Sequence, residues 1–116
     1  MKGGRPRPAD PGRLLAMARL AADADAARAR AAAARLAGLR ARRDGVDAAL
    51  RAGMAEDATL TVARYALWTT LARADLNRAM LPAMAEAEAA ARTAAHSEAR
   101  AGVLDRLARR GGTQRR

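Results

Sequence analysis

The sequence predicts an all-α chain, a long antiparallel two-helix coiled-coil hairpin with disordered basic tails. Composition is the first observation behind this. Ala (36 residues) and Arg (21) dominate the 116-residue chain, both are strong helix formers, and the strand-favouring residues are nearly missing, with no Ile or Phe and only one Tyr and one Trp. The second is periodicity: from Leu36 to Gly53 a seam of mostly apolar residues, with Arg43 as one basic intruder, recurs at alternating steps of three and four. The third is that "RAGMAEDATL", residues 51–60, breaks the pattern near the middle and leaves a long helical segment on each side. Low bulk and a net charge of +10 are also marks of disorder. Pro, Ser and Gly, on which disordered chains lean, are scarce from residue 13 to 110, and this favours helix.

Residues 1–10 form a basic tail that ends at a helix start. Asp10 can accept hydrogen bonds from the free N–H groups of the first turn, and Pro11 at the first helical position sacrifices none. Helix 1 is expected over 11–53. Its seam runs Leu36, Leu39, Arg43, Val46, Leu50 and Gly53, and traced backwards it takes Ala32, Ala29, Asp25, Ala22, Ala18 and Leu15. Alanines on a seam let two helices approach toward the close end of the usual spacing.

Gly53 is expected to end helix 1 in a left-handed cap, with Asp57 or Thr59 starting helix 2; a break at Asp44-Gly45 is the alternative. Helix 2 is expected over 56–110, with Leu60, Leu67, Leu71, Ala74, Arg78, Leu81, Ala85 and Glu88 on its seam and a kink near Asn77 to Leu81 imposed by Pro82. Gly111-Gly112 would stop it, with Arg106, Arg109 and Arg110 in the last turn complementing the helix dipole. Residues 111–116 then form a second disordered basic tail.

The charge excess lies toward the ends. Residues 1–13 carry four bases and one acid and residues 106–116 five bases and no acid, whereas 14–105 hold 13 bases against 11 acids. Weak nonspecific nucleic-acid binding through the basic tails follows from that distribution. With no Cys there is no disulfide framework or thiolate metal site. The longest uncharged stretch, Tyr65 to Ala72, falls far short of the roughly 18 residues of a membrane span, and Arg19 interrupts the only apolar run near the N-terminus. A cytoplasmic protein is expected.

Chemistry is hard to place on this chain. His96, Ser97 and Glu98 are adjacent, and neighbouring helical residues point about 100° apart, so they cannot form a Ser-His-acid relay on their own. Glu86, Glu88 and His96 lack the spacing of metal ligands, and no Gly-rich phosphate loop is present. The expectation is no catalytic residue, no cofactor and no small-molecule substrate. A hairpin with so little apolar volume suits a piece that docks on a protein partner. The stretch "ARYALWTTLARADL", residues 63–76, holds both aromatics, Tyr65 and Trp68, which sit beside the seam either as packing over the hairpin edge or as an exposed anchor.

With that stretch extended to "ARYALWTTLARADLNRAM", and with "ARAGVLDRLARR" near the C-terminus, the chain resembles the FliJ family of flagellar export chaperones and the related stalk proteins of type III secretion. It departs from them in its alanine-heavy first helix and in Pro82. The resemblance implies a soluble export component, peripheral at the inner face of the membrane through its partners, that binds the export ATPase and the export gate. The gate contact would involve Leu67, Leu71, Ala74 and Arg78, with Trp68 and Tyr65 adjacent, and the ATPase contact Arg106, Arg109 and Arg110. Two other functions fit the same residues: a basic, alanine-rich nucleic-acid binder of the nucleoid type, and a generic coiled-coil adaptor that self-associates.

Overall fold

A computed structural model describes residues 10–55 and 59–114. They form two helices, α1 (Pro11–Ala55) and α2 (Thr59–Gln114), and no strand appears among them. The chain is an all-α two-helix hairpin, as composition and periodicity predict. Residues 1–9, 56–58 and 115–116, which include most of the expected N-terminal tail, the last two residues of the expected C-terminal tail and Asp57, lie outside the described residues.

The start of α1 is capped as its sequence requires. Asp10 Oδ1 accepts a hydrogen bond from the Gly12 N–H at 3.1 Å, and the Asp10 carbonyl accepts from the Leu14 N–H at 3.0 Å. The α1 seam lies where the heptad spacing puts it. Each of Leu15, Ala18, Ala22, Asp25, Ala29, Ala32, Leu36, Leu39, Arg43, Val46, Leu50 and Gly53 is buried or half-buried. The helix runs unbroken through Asp44-Gly45.

Two helix ends differ from expectation. Gly53 lies inside α1, which continues to Ala55, and its role is close packing in place of a left-handed cap. A Cβ built at Gly53 would stand 2.9 Å from Cδ2 of Tyr65, so the missing side chain is the space the Tyr65 ring occupies. At the other end, α2 passes through Gly111 and Gly112 to Gln114. Glycine lowers helix propensity by about 1 kcal/mol without forbidding helix, so Arg106, Arg109 and Arg110 sit before the last turn. Pro82 also stays within α2. It is exposed, so the carbonyl it leaves without an intrahelical donor can turn to water.

The main correction concerns which side of α2 faces α1. Leu67, Leu71, Arg78, Leu81, Ala85 and Glu88 of the expected seam are exposed, and only Ala74 is half-buried; the Leu60 side chain lies outside the described residues. The row that is buried or half-buried starts at Tyr65, Thr69, Ala72, Leu76, Met80, Ala83 and Ala87. Its first members lie two positions before the expected ones, about 200° around the helix and so on nearly the opposite side. The consecutive steps of four, Ala72 to Leu76 to Met80, insert a stutter in the heptad pattern, which locally unwinds a coiled coil.

The chain divides into two compact units. One comprises residues 29–89, and the other residues 1–28 together with 90–116. In the first, α1 and α2 run antiparallel around Ala32, Leu36, Gly53, Thr69 and Met80, and the ion pairs of Arg73 with Asp47 (Nε to Oδ1, 2.7 Å) and of Arg35 with Glu86 cross between the helices. Thr69 hides its hydroxyl by donating to the Tyr65 carbonyl at 2.6 Å. In the second unit the buried residues are Ala22 and Ala101, and the same row of α2 continues as Ala90, Ala94, Ser97, Ala101, Leu104 and Ala108. Here the Ser97 hydroxyl donates to Asp25, and Arg19 pairs with Asp105 at 3.7 Å.

A candidate partner-docking surface on the second helix

Because the row through Tyr65, Thr69, Ala72, Leu76 and Met80 is turned toward α1, the large residues of the other phase are left outside. Leu67 is 64% exposed, Leu71 59%, Leu81 70% and Trp68 49%, and Met84 is exposed as well. Leu67, Leu71, Ala74, Arg78 and Leu81 follow one another at steps of four, three, four and three, the spacing by which a helix presents a seam to another helix. In the middle of the row Arg78 pairs with Asp75 at 3.3 Å, both side chains largely in solvent.

The two aromatics have separate surroundings. Tyr65 turns inward and lays its ring against Gly53, half-buried. Trp68 lies at the edge, where with Ala49, Arg64 and Tyr65 it lines a groove of about 330 Å³. One wall of that groove is α1 and the other α2, so Trp68 contributes to the hairpin on one side and to the outer surface on the other. Leu81 and Met84 extend the exposed surface beyond the residues singled out from the aromatic stretch. Their signal was present in the sequence, since α2 carries large residues in two phases, Leu67, Leu71 and Leu81 in one and Tyr65, Leu76 and Met80 in the other.

The arginines near the C-terminal end of α2 are not equivalent. Arg109 pairs with Asp105 at 3.3 Å, while Arg106 lies over its own helix with Nε 3.4 Å from the Gly102 carbonyl. Arg106 and Arg110 line a groove with Val103 and Leu107. The row Leu67, Trp68, Leu71, Ala74 and Arg78 belongs to residues 29–89 and these arginines to the other unit.

The His96, Ser97 and Glu98 stretch is structural around its serine. Ser97 donates to Asp25, which also accepts from Arg28 at 3.0 Å, while His96 is exposed. The hydroxyl thus bonds directly to a carboxylate and cross-links the helices. Among the described residues no three His, Asp or Glu side chains come together as a metal-binding group. Nor, among these residues, is any helix long and apolar enough to cross a membrane. The chain matches no family model, no curated protein and no solved structure.

Proposed function

We propose that this chain is a non-enzymatic adaptor that receives a helical protein partner along the outward row of α2. In line with its resemblance to the FliJ family, we assign the partner to the flagellar, type III export apparatus, on the side of the export gate. The exposure of Leu67, Trp68 and Leu71 carries the reading. Burying one such side chain stabilises by roughly 1.5–3 kcal/mol, and the hairpin forgoes much of that gain at each of the three positions. Residues spaced at three and four in a straight line suit an amphipathic helix laid alongside. Trp at the edge of the row is the residue type most enriched among binding hot spots.

The test is a double substitution, Trp68→Ala with Leu71→Ala. Capture of the purified export gate or export ATPase by the tagged chain should fall by at least about tenfold, with the far-UV helix signal near that of the parent. Undiminished capture would remove the row from the interface, and the absence of binding by the parent chain would remove the export assignment.

A further inference from the structure

The unit formed by residues 1–28 and 90–116 has a different surface. It holds 13 of the 22 basic residues and five of the 12 acids, a net charge of +8 out of the total of +10. Three of its acids also share one side. On a helix, a residue just before a seam position and one just after it turn about 100° in opposite directions. The acids Asp23, Glu98 and Asp105 each follow a seam residue, and Arg19 follows one too and bridges to Asp105 at 3.7 Å.

From Leu14 onward the positions just before the seam carry no acid, and Asp10, one turn earlier, accepts a hydrogen bond from the Gly12 N–H in the helix cap. On α1 they are Leu14, Met17, Ala21 and Ala24, and on α2 Thr93, His96, Arg100, Val103 and Leu107. These rows share one side of the unit, because Leu14, Met17 and Ala21 line the same groove as Arg100 and Leu104. Val103 and Leu107 line a second groove together with Arg106 and Arg110. Leu14, Met17, Val103 and Leu107 are each 40% or more exposed.

We infer that this face, Leu14 and Met17 with Val103 and Leu107 bordered by Arg100, Arg106 and Arg110, rests on an anionic lipid surface. Large apolar side chains beside arginines suit a bilayer interface, where the former enter the headgroup boundary and the latter reach phosphate oxygens with their stems against the apolar layer. A duplex nucleic acid would use the cations but gain little from Met17 and Leu107, and the face carries no aromatic residue for stacking on single strands. The positive field of the whole unit draws it toward anionic headgroups, and the acids on the other side fix which face is turned to them. This contact is direct, in contrast to the partner-mediated attachment and the ATPase contact of Arg106 and Arg110 that the family resemblance implies.

Sedimentation of the full chain with vesicles tests the assignment. Association with vesicles about one-third phosphatidylglycerol should exceed that with pure phosphatidylcholine by at least about tenfold. Met17→Ser with Leu107→Ser changes no charge and should lower association with the anionic vesicles by about tenfold, leaving the helix signal unchanged. Arg106→Gln with Arg110→Gln should lower it to a similar extent, the loss shrinking as salt is raised. Equal binding to both vesicle types, or undiminished binding by the serine variant, would overturn the proposal. So would a parent chain that ignores the anionic vesicles and binds duplex DNA, which would assign the face to nucleic acid.

Discussion

Within residues 29–89, the inner side of α2 presents Tyr65, Thr69, Ala72, Leu76 and Met80 to α1, and the outer side presents Leu67, Trp68, Leu71 and Leu81 to solvent. The inner row mixes Tyr65, Leu76 and Met80 with an alanine and a threonine whose hydroxyl is tied back to its own helix, and the outer row sets three leucines beside Ala74 and Arg78. The comparison teaches that fit to the facing residues decided the inner side: α1 offers Gly53 where α2 places the Tyr65 ring, and Ala32 and Leu36 share the buried interior with Thr69 and Met80.

The sharpest way to break that comparison uses two neighbouring residues. Met80 is buried and Leu81 is 70% exposed, one position apart in the same helix. Met80→Ala should cost about 2–3 kcal/mol in urea unfolding, while Leu81→Ala should stay within about 0.5 kcal/mol. Equal losses would mean that both sides of α2 are packed in solution.

Gly53→Val should cost about 1–3 kcal/mol, because its Cβ would meet the Tyr65 ring. Adding Tyr65→Ala should recover part of the loss if ring and glycine are a fitted pair, and simple additivity of the two costs would show that they are not. A smaller effect is expected at the polar cross-link in the other unit. Ser97→Ala removes the donor to Asp25 and should cost about 1 kcal/mol, read as a lower urea midpoint with unchanged slope. The smallest belongs to the ion pair of Arg35 with Glu86, both more than half exposed, where Arg35→Ala should change stability by less than about 0.5 kcal/mol.

How much was legible beforehand differs between the helices. On α1 the large residues from Leu36 onward, Leu36, Leu39, Val46 and Leu50, share one phase, and extended backwards it reaches the half-buried Leu15, while Leu14, Met17 and Leu20 lie off it and are exposed. On α2 the two phases compete. Choosing the one richest in leucine assumes that the hairpin buries its largest residues, and Leu67, Leu71 and Leu81 show where that assumption fails. Tyr65 and Trp68 divided for the same reason, since a residue on the inner phase and another one turn later on its flank meet different surroundings. The double glycine at 111–112 failed as a stop because glycine weakens a helix without ending it.

The sequence by itself determined that the chain is helical, where its first helix begins, which side of that helix is covered and where the net charge gathers. Helix propensity, capping and the alternation of threes and fours are local properties and can be read from neighbours along the chain. Only the tertiary structure decided which side of α2 meets α1, that Gly53 makes room for a ring, and that Ser97 joins Asp25 across the pair. Those depend on what stands opposite each residue, and periodicity along one helix carries no information about its partner.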